Sequence, residues 1–136
     1  MTVHLFNIRV YSEDTDYSGV VYHAQYLCFM SRARSEWLRE RGGRTLDDFE
    51  RERCAFVVRA AQLKYHRPSR LGDLLVVETR IAEMRRASFM VAHRIWVADK
   101  PSEIICDGTV ELVFVDFNLR PRALPKELMA EINCGS

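Results

Sequence analysis

Apolar residues fall into two rhythms along this chain. Over residues 3 to 11, Phe6, Ile8 and Val10 alternate with Leu5 and Asn7, the period of two expected of a half-buried strand. From residue 23 to 41 the rhythm becomes helical. Tyr26, Met30, Ala33 and Trp37 form a stripe flanked by Leu27 and Leu38, which predicts a helix of about 18 residues and ~27 Å. Arg34 interrupts that flank, with its stem expected to pack and its charge to reach water. Gln25, Arg32, Ser35, Arg39 and Glu40 supply the wetter side, and Arg32 and Glu36 stand at a spacing that allows a surface pair. Gly42 and Gly43 close the helix as a left-handed cap does. Thr45 is then the N-cap of a short helix reaching Arg53, with Asp47 and Asp48 in its first turn.

Strand patterns follow at residues 55 to 66, 74 to 84, 87 to 98 and 103 to 116, separated by the Pro68 to Asp73 turn, Arg85-Arg86 and Lys100-Pro101. Gly108, inside the last strand, marks a bulge or a close backbone approach. After an Arg120-Pro121-Arg122 loop, residues 125 to 132 form a terminal helix with Pro at its start. Short turns join antiparallel neighbours. One long helix over a five-stranded antiparallel sheet makes two layers, so the class is α+β.

Composition narrows the setting. At 136 residues the chain reads as a single domain over 1–136, able to bury roughly 70% of its unfolded surface. Hydrophobic residues at 48%, charged residues at 29% and a net charge of +1 give no bulk field toward nucleic acid or membrane. The start carries no secretory leader pattern, and no apolar run approaches the ~18–20 residues of a transmembrane segment. The expected location is the cytoplasm. The cysteines are Cys28, Cys54, Cys106 and Cys134. None forms a C-x-x-C pair or a zinc spacing, so no metal is expected. Cys28 and Cys106 lie in apolar runs and are expected to be buried thiols.

Candidate chemistry concentrates between residues 10 and 38. Glu13, Asp14 and Asp16 sit in a polar loop, Ser18 and Gly19 follow, and Val20, Val21, Tyr22 and His23 lead into the helix. A helix start offers unpaired backbone N–H groups to a developing oxyanion. A carboxylate beside it can act as nucleophile or base. On these residues alone, Asp16 equally serves to stabilise the loop or the positive helix end.

The stretch RVYSEDTDYSGVVYHAQY resembles the active-site signature of the 4-hydroxybenzoyl-CoA thioesterase family of hotdog-fold proteins, most closely its Tol-Pal-associated acyl-CoA thioesterase branch. The likeness continues through CAFVVRAAQLKYHRPSRLGDLL, EMRRAS and VDFNLRPRALPKEL. The resemblance implies a hotdog fold, with the sheet wrapped round the central helix. It implies hydrolysis of an acyl-CoA to free acid and CoA without metal or cofactor. Homo-oligomers are implied too: dimers joined sheet edge to edge, often dimers of dimers (homotetramers), with sites at the subunit interface.

Residue by residue, the resemblance places Asp16 as the catalytic carboxylate and the backbone N–H of His23 as oxyanion donor, with Tyr22 and Ala24 as lesser candidates. Gly19 permits the tight turn between them. The His23 side chain either bonds substrate or orients the turn. Glu13 and Asp14 either tune Asp16 or are solvated. Tyr26 and Trp37 line an acyl pocket or are plain core. For CoA, Arg85, Arg86 and Ser88 are the leading cluster, with Arg67 and Arg70, and Arg120 and Arg122, as others. His4, His66 and His93 fall on strand patterns as surface or structural residues. Three positions depart from the family pattern: Tyr17, expected to narrow the pocket, Ser31 and Arg86. A contrasting reading is a weakly catalytic acyl-binding partner of acyl carrier protein or of envelope (Tol-Pal) machinery, since CoA and the carrier share the phosphopantetheine arm. A hotdog dehydratase would need a His paired with an acid on the helix, which the helix pattern lacks.

Overall fold

A computed structural model describes residues 3–42 and 46–133. The caps at Gly43 and Thr45, the Asp47 side chain and Cys134 lie outside the described residues. The elements are β1 (His4–Arg9), a 3-10 turn at Ser12–Asp14, α1 (Gln25–Gly42), α2 (Leu46–Glu52), β2 (Cys54–Tyr65), β3 (Leu74–Met84), β4 (Ser88–Val97), β5 (Ile104–Asp116) and α3 (Lys126–Asn133). The sheet has five strands in the order β1-β3-β4-β5-β2, every neighbouring pair antiparallel. It is the α+β hotdog arrangement, with α1 as the filling.

Alternation decides which face α1 covers. Phe89, Val91 and Ile95 of β4 are fully buried, whereas Arg94 between them is exposed. On α1 the predicted stripe of Tyr26, Met30, Ala33 and Trp37 is buried, joined by Phe29. Leu27 and Cys28 lie on the opposite side of the helix and are exposed. The expectation of a buried Cys28 is therefore corrected: its apolar neighbours in sequence are not its neighbours on the helix face. Cys106 is buried as expected, and burial, with Asp107 adding to it, pushes its thiol up to about 12.

The core is divided into two clusters. One gathers Phe29, Met30, Leu75, Val77, Ile95 and Cys106. The other gathers Trp37, Phe89, Val91, Val110, Phe114 and Leu128. Along α1, β3 and β4 the residues between them are Arg34, Thr79 and His93, all buried. The guanidinium of Arg34 donates to His93 Nε2 at 3.1 Å, so the other ring nitrogen carries the proton. His93 Nδ1 then donates to Thr79 Oγ1 at 3.2 Å and the Glu78 carbonyl at 3.3 Å. Burial, reinforced by the Arg34 charge, lowers His93 to about 3, and burial lowers Arg34 to about 10. Arg34 thus does not send its charge to water as expected; a polar partner across the sheet holds it inside.

Gly108 resolves to a close approach. A Cβ there would lie 2.4 Å from the Gln62 carbonyl oxygen of β2, while the register shifts fall at Val58/Ala60, Ile81/Glu83 and Ile95/Trp96. Among the described residues, no helix is long and apolar enough to cross a membrane.

Candidate active site

The loop between β1 and α1 is built on Asp14. Its carboxylate accepts from the Tyr11 N–H at 2.9 Å and from Gln25 Nε2 at 2.9 Å, and its carbonyl accepts the Tyr22 N–H at 2.9 Å. These bonds tie the end of β1, the turn before the helix and the first residue of α1 together. Asp14 is buried, so it is a strut and not the solvated acid expected; Glu13 is exposed. The capping logic was visible in sequence, because an acid three residues after a turn entry can accept that entry's N–H.

Asp16 stands on the next turn. Its N–H donates to the Val20 carbonyl at 2.9 Å, and its own carbonyl accepts the Gly19 N–H at 3.1 Å. Gly19 has φ of 84°, in the left-handed region where glycine is favoured. The Asp16 Oδ1 atom accepts from the Ser18 N–H at 2.8 Å and the Ser18 hydroxyl at 2.5 Å. The Oδ2 atom has no hydrogen-bond partner among the described residues. The Ser18 hydroxyl, then its N–H, hold the carboxyl below its ordinary value.

The chain then turns into the helix. The Val21 N–H donates to the Ser69 carbonyl at 2.8 Å and the Gln25 N–H to the Tyr22 carbonyl at 2.8 Å. Tyr22 gives its N–H to Asp14, so it is withdrawn as an oxyanion donor. Among the described residues the N–H groups of His23 and Ala24 have no acceptor. The helix begins at Gln25, leaving His23 in the turn before it.

A cavity of about 380 Å³ contains Asp16, Val21, His23, Tyr26, Tyr65 and Arg67. Tyr26 is 3% exposed and its hydroxyl pairs with Ser69 Oγ at 2.6 Å, so it is both core and cavity wall. Tyr65, at the end of β2, donates its hydroxyl to the His23 carbonyl at 3.0 Å. Its ring lies 5.8 Å from that of Tyr26 and 6.4 Å from that of His23. Sequence reasoning gave Tyr65 no role, since its partner lies 42 residues away. One expectation is corrected here and one alternative is decided. Tyr17 is fully exposed and does not line the cavity. Trp37 belongs to the second core cluster, not to the cavity. His23 is exposed, its ring 4.5 Å from the half-exposed Tyr22 ring.

The basic clusters separate. Arg67 lines the Asp16 cavity, and Arg70 bridges Val20 through its backbone. The Arg85–Ser88 turn lies at the opposite end of the sheet. The 11 residues of β3 separate it from the Asp16 end, roughly 35 Å at full extension. There Arg85 is engaged by Glu83 at 3.1 Å and by Glu111 at 3.6 Å, and Ser88 is buried. The exposed Arg86 accepts the Leu124 N–H on its carbonyl at 2.9 Å, which brings the 120–122 loop beside it. A larger open groove of about 880 Å³ crosses the outer sheet face past Lys64, Arg80 and Arg94 and holds none of the predicted site residues. Among the other histidines, His66 pairs with Asp107 at 3.2 Å and His4 with Glu40 at 3.0 Å.

Known proteins resemble this chain over most of its length. The sequence profile of the thioesterase-like superfamily matches residues 10–132. The acyl-CoA thioester hydrolase YbgC of Escherichia coli O157:H7 is 42% identical over 131 residues, covering 96% of each chain. The acyl-CoA thioesterase YbgC of Haemophilus influenzae is 39% identical over 126 residues, covering 92% of this chain and 90% of that one. The crystal structure of a probable thioesterase from Bartonella henselae superposes with a TM-score of 0.84 at 37% identity, covering 91% of this chain and 100% of the other.

Proposed function

Because the chain belongs to the thioesterase-like superfamily, we propose that it hydrolyses an acyl-CoA thioester to the free acid and CoA. The observation that carries the mechanism is a carboxylate in the same cavity as His23, with one of its oxygens and the His23 N–H both without a partner among the described residues.

In this reading Asp16 Oδ2 attacks the thioester carbonyl carbon. The carbonyl oxygen takes the negative charge and receives the His23 N–H, a donor worth about 3 kcal/mol to the transition state in other hydrolases. Collapse breaks the C–S bond and leaves a mixed anhydride on Asp16. Water then opens the anhydride, releasing the acid and restoring the carboxylate. Of the water's two protons, one ends on the CoA thiolate and the other in solvent. A carboxyl held below its ordinary value stays ionised, the form that direct attack requires.

Binding of CoA calls for a second copy of the chain. The β2 strand lies at an open sheet edge, with Val57 and Val58 37% and 52% exposed, and such an edge pairs readily with another strand. Antiparallel pairing of two β2 strands would bring one subunit's Arg86, Arg120 and Arg122 toward the other's Asp16 cavity. That geometry reconciles Arg86 as a phosphate ligand with its distance from Asp16 within one chain; Arg85, already paired with two acids, is the weaker ligand.

The test is free-thiol release from short, long and aromatic acyl-CoAs, wild type beside Asp16→Asn. The expected result is turnover on part of the panel and a loss of at least about 100-fold in the variant. Near-normal turnover by Asp16→Asn would overturn the assignment. A wild type inactive on every CoA ester would favour an acyl carrier protein thioester or a binding role.

A further inference from the structure

Beyond the assignment of Asp16 and the His23 N–H, we infer that Tyr65 is the positioning residue that sets the direction of the Ala24 N–H, the turn's second donor without an acceptor among the described residues, and so brings it to the oxyanion beside the His23 N–H. A trans peptide unit points its C=O and its N–H in opposite directions, so fixing one fixes the other. The unit joining Tyr22 to His23 is held through its carbonyl by the Gln25 N–H at 2.8 Å, which aims the His23 N–H. The unit joining His23 to Ala24 is held through its carbonyl by the Tyr65 hydroxyl at 3.0 Å, which aims the Ala24 N–H. The first tie belongs to the helix itself. The second reaches across from the sheet, and among the described residues it is the only hydrogen bond to the His23 carbonyl.

Tyr65 is suited to this task. It ends β2, where the Lys64 and Tyr65 backbones are registered against Asp107 and Cys106 of β5. Its ring rests against Tyr26, itself pinned to Ser69. The hydroxyl therefore stands on the end of a sheet strand and not on the loop itself. A hydrogen bond accepted by a peptide carbonyl also polarises that unit and strengthens its N–H as a donor. Tyr65 is assigned no contact with the reacting atoms; it acts through the backbone.

The inference rests on the thioesterase reading for its kinetic half only, so two readouts are taken on the full chain. Tyr65→Phe keeps the ring and removes the hydroxyl. In the amide spectrum, the Ala24 signal is expected to shift while those of the sheet stay in place. In thiol release, kcat is expected to fall about tenfold with KM within about twofold. An unmoved Ala24 signal overturns the inference, as does an unchanged kcat in an enzyme whose Ala24 signal has moved. A rise in KM with kcat intact also overturns it, by making Tyr65 a binding residue. If the wild type turns over no thioester, the thioesterase reading fails and the amide signals alone decide the role of Tyr65.

Discussion

Asp16 carries its two Ser18 hydrogen bonds on a single oxygen, and this asymmetry has a pH signature. Donors to the ionised form lower a carboxyl's pKa, with the Ser18 hydroxyl the largest cause here. The carboxylate then persists into acid, so kcat/KM should be flat through neutral pH and fall only below the ordinary carboxylate range. In Ser18→Ala the stabilising hydroxyl is gone, the pKa rises, and the acid limb of the pH–rate profile moves to higher pH. An acid limb that stays put would mean that Asp16 is not the titrating group. Residues of this kind differ in how visible they are in a sequence. Asp16, Gly19 and His23 stand within eight positions of each other, so local spacing exposed them. Tyr65 reaches a partner 42 residues away and Arg34 one 59 away, and such partnerships exist only once the sheet has formed.

Elements were the most legible scale, because period-two and helical rhythms report directly on which side is covered. All five strands and the long helix fall where alternation and the stripe put them, and the helix starts later than expected because residues 23–24 belong to the entry turn. Function within an element was harder to read. Trp37 and Tyr26 share one stripe, yet only Tyr26 reaches the cavity. Gly108 shows how tightly two elements can meet. A Cβ placed 2.4 Å from the Gln62 carbonyl must push β2 away from β5. Gly108→Val is therefore expected to lower unfolding free energy by about 1–3 kcal/mol in urea titrations. An unchanged urea midpoint would show that the strands can separate there without cost.

For the whole molecule, the two-layer plan was readable, whereas the buried polar seam was not, since Arg34, Thr79 and His93 come from three different elements. The seam couples folding to acidity. His93 titrates near 3 when folded against an ordinary 6.5, so the unfolded chain binds the proton first. Stability from this group is complete above its unfolded value and is lost as pH falls through that window, at up to about 1.4 kcal/mol per pH unit. Urea unfolding at several pH values should show a steeper loss for the wild type than for His93→Gln; parallel curves would contradict the assignment. The same packing decides which sulfur atoms solvent can reach. Cys54 and Cys106 are sealed in the core, while Cys28 faces outward on the helix. Any disulfide dye used to count liberated CoA will also find that thiol. Among the cysteines of the described residues, Cys28 alone will add a stoichiometric burst that does not grow with time, and Cys28→Ser would remove that contribution.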